Sequence, residues 1–321
     1  QLQPELDYDA LFAKLLESRP VVLGYYFSSD GDGRTVGTLP APVMSKKDIK
    51  GRNVEPYSWT GFASNIEVLA KAAPIAGHFN TTPDIDGVVR SLPLLAEYKG
   101  EYSESLALAM FRRLAGSPKV VPGFSDEQWL SRSYQGLDRI LLKQAQSSLS
   151  ISVDKHISTL VPYRGPGGAK GGSFRYVSAA DVLAGRLPPD SLKDKIVLVG
   201  TTAPGLLDLR VTPVGQVYPG VEAHANLLSA WLDDKVTVKP DYAVGYDVFV
   251  LIVAGLLLAI GLPLLSAPRA VLLSLGVLIT VTALNTWLYI GYGLVMPLAA
   301  ALVMTLTAFA LNMSYGYFVE S

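Results

Sequence analysis

The sequence predicts an α/β domain, with a mainly parallel sheet flanked by helices, followed by three transmembrane α-helices. Three observations carry this. Helix-like and strand-like segments alternate through the first two thirds of the chain. The run Lys195–Gly200, KIVLVG, is short, β-branched and bounded by charge and glycine, as expected of a strand covered on both faces. Residues 242–311 are nearly free of charge over lengths that match a bilayer core of roughly 30 Å.

Taken in order, Asp7–Ser18 places Leu11, Leu15 and Leu16 at helical spacing, and the apolar run Pro20–Phe27 follows as a buried strand. Ser28–Gly61 is rich in turn formers and reads as a long exposed excursion. Asn65–Ala73 is predicted as a helix with Asn65 as its N-cap, leading to a short strand at Ile75–Phe79. Asp86-Gly87 marks a hairpin-type turn, with two strands after it. Tyr102–Ala115 reads as a helix ended by Gly116 and Pro118, with Leu106, Ala109, Met110 and Leu114 on one face. Strands are expected at Arg139–Leu142 and Leu149–Val153, and a short helix at Ser178–Ala184 with Ser178 and Asp181 at capping-box spacing. The strand Lys195–Gly200 then opens into a polar, Pro- and Gly-rich loop that ends in the helix YPGVEAHANLLSAWL, residues 218–232.

Residues 1–240 therefore form one domain, and Tyr242–Leu265, Ala270–Ile290 and Leu294–Leu311 form three spans, since none shows the polar face of a soluble helix. Arg269 is the basic residue of the short inter-helix loops and places its loop in the cytoplasm by the positive-inside tendency. The large domain is then extracytoplasmic, and residues 312–321 form a cytoplasmic stub. The chain starts at Gln1 without initiator Met, basic n-region or apolar h-region, so a piece of a longer protein is expected.

The net charge of −1 gives no electrostatic footprint for nucleic acid. Zero cysteines exclude disulfides, thiol catalysis and Cys-ligated metals. His78, His156 and His224 are far apart in sequence, and no GxSxG elbow or HExxH is present, so no catalytic set, metal or cofactor is expected. In PDIDGVVR, Asp84 and Asp86 begin like a calcium loop but lack its remaining ligands, so turn chemistry with Arg90 pairing an acid is the reading. RGPGGAKGG, residues 164–172, could cradle phosphate with Arg164 and Lys170, but it has no Walker or dinucleotide spacing and reads as a surface connector.

The remaining candidates are Thr201, Thr202, Asp208, Arg210, Glu222, His224 and Asn226, with Arg164 as a further member. They follow the Lys195–Gly200 strand and open a helix, where strand ends commonly bind ligands and a positive helix end holds small anions. The plainer alternative is that Asp208 and Arg210 fix the loop while Glu222 and Asn226 cap and pack it.

At these residues the chain resembles the CHASE2 domain family, sensors of bacterial adenylate or guanylate cyclases and of sensor kinases. The resemblance rests on PDIDGVVRSLPLL, on LVPYRGPGG with FRYVSAADVLAGRLPPDSLKDKIVLVGTTAPGLLDLRVTP, and on YPGVEAHANLLSAWL before the spans. It implies an extracytoplasmic sensor in the bacterial cytoplasmic membrane, binding an unknown small ligand or protein partner outside. It also implies a further N-terminal portion and a cytoplasmic cyclase or kinase output beyond this chain. A homodimer or a larger membrane complex is the expected assembly. The alternative is a non-catalytic accessory subunit of a membrane complex.

Overall fold

The computed structural model describes residues 7–29, 32–50, 52, 54–124, 137–144, 148–170, 172–202, 208–240 and 242–320. The chain divides into two compact units, residues 1–235 and 236–321.

The first unit begins with α1 (Tyr8–Leu16), whose first turn is closed by the Asp7 carboxylate accepting from the Ala10 amide at 3.0 Å. The strand β1 (Leu23–Ser28) follows, then the short β2 (Thr35–Val36) and β3 (Met44–Ser45), a 3₁₀ turn (Lys46–Ile49), and β4 (Gly61–Ala63). Next come α2 (Glu67–Ala72), β5 (Ala76–His78), β6 (Ser91–Pro93), β7 (Leu95–Tyr98), β8 (Glu101–Glu104) and α3 (Leu106–Leu114). Strands β9 (Lys119–Phe124), β10 (Leu137–Lys143), β11 (Ser148–Ser152) and β12 (Ser158–Leu160) precede the short α4 (Ala179–Leu183). The hairpin β13 (Leu209–Thr212) and β14 (Gly215–Pro219) leads straight into α5 (Gly220–Leu232).

The strands form small sheets: β2-β4-β1-β5, β11-β10-β9, β3-β8-β7, and the pairs β12-β6 and β13-β14. Parallel pairing occurs at β1 with β5, Tyr25 opposite His78, and at β2 with β4. The other strand pairs named among the described residues are antiparallel. The expected mainly parallel sheet is thus corrected to a mixed α/β domain of small sheets. Much of the cause is short connections such as Lys99-Gly100 between β7 and β8, which leave room only for antiparallel return. The core gathers Tyr25, Phe27, Leu92, Leu94, Leu95, Leu108, Ile140, Tyr218 and Leu227.

Three local expectations change. Lys195–Gly200 is not a strand: Ile196, Val197 and Val199 are 45%, 51% and 90% exposed, and no neighbouring strand pairs with them among the described residues. A β-branched run favours extended backbone, but a ladder needs a partner that local pattern cannot supply. Tyr102–Glu104 belongs to β8, and the helix starts only after Ser105, whose hydroxyl accepts from the Leu108 amide at 3.4 Å. Asn65 does not cap α2. Its amide donates to the Gly24 carbonyl at 3.2 Å, which ties that corner to β1 instead.

The second unit holds α6 (Ala243–Leu264), α7 (Ala267–Tyr292) and α8 (Ala299–Glu320). Among the described residues α6 and α7 are long and apolar enough to cross a membrane, whereas the apolar part of α8, Ala299–Tyr315, is shorter. The expected third span began at Leu294, but Leu294 pairs with Val238 and α8 starts only after Pro297. A residue before proline is pushed out of the helical region, which delays the helix. The three helices share a core of Ala254, Leu258, Leu262, Ala270, Val277, Val281 and Ala301. Small residues there permit close packing. Asn285 on α7 donates to the Tyr246 hydroxyl on α6 at 3.0 Å.

Candidate functional site

The helix α5 is entered at Gly220, and a Cβ there would lie 2.2 Å from Asp208 Oδ1. That close approach lets the Asp208 carboxylate sit on the first turn and accept from the Val221 amide. Burial pushes the Asp208 carboxyl up, against the opposing pull of Arg210 and of that amide. Arg210 lies 3.8 Å from Asp208 and donates from Nε to Thr81 Oγ1 at 2.8 Å, so it joins β13 to the segment after β5.

In the same first turn, Glu222 is 3% exposed. Its carboxylate accepts from the Gly168 amide at 2.6 Å and from the Tyr176 hydroxyl. The glycine-rich segment closes on it so tightly that a Cβ on Gly167 would meet the Tyr218 ring at 2.7 Å. Burial and the neighbouring Glu222 carboxylate both push the Tyr176 phenol well up, so it stays protonated and donates.

Asn226, fully buried, completes the arrangement. Its Oδ1 accepts from the Arg164 amide at 2.9 Å, and its Nδ2 donates to the Tyr218 hydroxyl at 2.6 Å and the Glu222 carbonyl at 2.7 Å. The Arg164 guanidinium pairs with Asp233 just beyond the end of α5. The glycine-rich stretch, expected as a plain surface connector, is therefore fastened along α5 at Gly168 and Arg164.

Of the sequence candidates, Arg164, Glu222 and Asn226 form one network, and Asp208 and Arg210 meet at the start of the same helix. His224 is also buried, but it lies toward His78 and the Phe79 carbonyl. Thr201 and Thr202 are exposed. Sequence reasoning missed Tyr176, Tyr218, Thr81 and His78 as members. No spacing rule brings them to α5, and only the unusual density of tyrosine and glycine in 163–176 marks the stretch.

The arrangement holds segments together: Glu222 Oε1 and Asn226 Oδ1 are filled by the chain's own donors, while Glu222 Oε2 is buried without a hydrogen bond among the described residues. Among the described residues no group of three or more His, Cys, Asp or Glu is placed to hold a metal ion. A concavity of about 260 Å³ lies elsewhere in the first unit, beside α2, lined by Leu23, Leu39, Pro40, Ala70 and Ala76 with Asn65 and Lys71 at its edge. In PDIDGVVR, Arg90 pairs with both acids, at 2.7 Å to Asp84 and 2.7 Å to Asp86, and the Val88 amide donates to Asp86 at 3.1 Å. This is the turn chemistry expected.

A family model described as CHASE2 domain matches residues 2–262, which reaches past residue 240 into α6. Comparison with curated proteins and with solved structures finds no match.

Proposed function

We propose a membrane-anchored sensor as the function, from the premise that the chain belongs to the CHASE2 family, whose members are extracytoplasmic sensor domains. Two helices able to cross a membrane follow the domain in the same chain, in keeping with an anchored module. In this reading the first unit stands outside the bacterial cytoplasmic membrane, and α8 completes three spans. The C-terminus is cytoplasmic and passes the signal to a cyclase or kinase output. The observation that carries it is the fastening of α5. This helix holds the glycine-rich segment through Glu222 and Asn226, and it ends ten residues before α6 begins.

A ligand or partner that engages the Thr201–Asn226 region, with Arg164 at its rim, would shift α5 only if it binds two arrangements with different affinity. The test is thermal unfolding of the full chain in detergent against a metabolite panel. A ligand at a hundred times its Kd adds about 2.7 kcal/mol and raises the transition. Stoichiometric copurification in a larger membrane complex, with no shift for any metabolite, would instead favour an accessory subunit.

A further inference from the structure

His78 on β5 and His224 on α5 are 0% and 2% exposed. They are close enough for a charge on His224 to oppose one on His78. Phe27 packs on the His78 ring with centroids 5.8 Å apart. None of the four ring nitrogens makes a well-formed hydrogen bond among the described residues, although His224 faces the Phe79 carbonyl. The rings thus occupy buried positions on β5 and α5, two elements that both pack against α3, as neutral, nearly apolar plugs.

The acids of the surrounding elements are already engaged through one carboxylate oxygen each, while Glu104 Oε2 and Glu222 Oε2 are buried without a hydrogen bond among the described residues. On β8, Glu104 is buried and pairs with Arg112 of α3 at 2.6 Å. On α5, Glu222 is held by Tyr176 and Gly168. On β1, Tyr25 is a buried phenol that stays protonated. Arg210 of β13, on Thr81, is itself a cation, and Ser105 at the start of α3 accepts from Leu108. Two charged rings buried within reach of each other's field would be both desolvated and mutually repelled.

We propose that His78 and His224 form an acid-operated joint, in which protonation of the pair releases α5 from β5. It rests on the sensor reading above and names the proton as a signal to which the domain responds. Burial lowers the His78 ring to about 3 and the His224 ring to about 4, from an ordinary 6.5, and His224 adds to the effect on His78. The sign follows. Above pH 6.5 neither state binds the protons and the closed joint keeps its full stability. Below 6.5, and down to about 4, the open form takes up protons that the closed form refuses. Acid therefore favours opening, with a slope approaching about 100-fold per pH unit for two protons.

The test is amide hydrogen exchange of the full chain in detergent between pH 7 and pH 4.5, normalised to an unstructured peptide at each pH. The wild type is expected to lose protection at β5 and α5 far faster than at α6 and α7 as pH falls. His224→Gln should cut the slope to about 10-fold per pH unit, and His78→Leu with His224→Gln should abolish it. A wild-type α5 whose protection is flat with pH overturns the proposal. So does a slope that persists in the double variant. If the double variant does not fold, the wild-type slope and the halved exponent of His224→Gln decide alone. The metabolite panel fails separately: no ligand shift with a steep, histidine-dependent exchange slope removes the small-ligand reading and leaves the joint standing. A ligand shift with a flat slope does the reverse.

Discussion

Asn226 is a single side chain on which three segments meet: the Arg164 amide, the Tyr218 hydroxyl and its own helix at the Glu222 carbonyl. Removing one partner of a buried hydrogen bond leaves the other unsatisfied, at about 1–3 kcal/mol per group. Asn226→Ala is therefore expected to lower stability by about 2–3 kcal/mol. At about 2–4 °C per kcal/mol for a domain of this size, calorimetry should show a fall of several degrees. Asn226→Asp should be no better despite its shape, because a carboxylate cannot donate to Tyr218 or to the Glu222 carbonyl. A wild-type transition for Asn226→Asp would show that the network does not hold the segment. Gly167→Ala probes the same closure from the other side. Its Cβ would meet the Tyr218 ring at 2.7 Å, and overpacking of this kind costs about 1–3 kcal/mol.

Among the elements, α5 and the stretch Lys195–Gly200 show what pattern can and cannot reveal. Helix α5 was legible because Pro219-Gly220 opens it and its apolar positions repeat at helical spacing to Trp231. The presence of β1, β5, β10 and β11, though not their ends, was legible for the same local reason, as runs of alternating or apolar residues. Lys195–Gly200 carries an equally strong local signal, yet strand identity is a property of a pair. Its partners are set by distant sequence, so the run lies unpaired and largely exposed among the described residues. At the site, Glu222 and Asn226 could be marked as polar residues on an apolar helix face. Their partners Tyr176 and Gly168 lie dozens of residues away and could not, whereas Arg164 could be marked as a candidate by its place in the glycine-rich run. The contrast is measurable. Val199→Ser, at a position 90% exposed, should change stability by no more than about 0.5 kcal/mol. Leu227→Ala on α5, at 1% exposure, should cost about 2–5 kcal/mol. Equal costs would mean that Val199 is covered in the native protein.

For the whole molecule, the reading depends on which side of the membrane each loop occupies. The absence of cysteine makes that directly testable, since every introduced thiol is the only one in the chain. Ser266, at the break between α6 and α7 and three residues before Arg269, is on the cytoplasmic side if the positive-inside tendency holds. Thr237, between α5 and α6, would by the same orientation be on the outside. In intact cells, a membrane-impermeant maleimide should then label Thr237→Cys and reach Ser266→Cys only after permeabilisation. The same experiment decides the role of α8. Its apolar part is shorter than the other two spans, so hydropathy alone does not require it to cross. In the proposed orientation its helix begins on the outer side, near Leu294, which pairs with Val238. If α8 crosses, a thiol at Ser314 follows Ser266 and is shielded in intact cells. If α8 instead lies along the outer face, Ser314→Cys is labelled together with Thr237→Cys. α8 itself would then not carry a change in α5 to the cytoplasmic side.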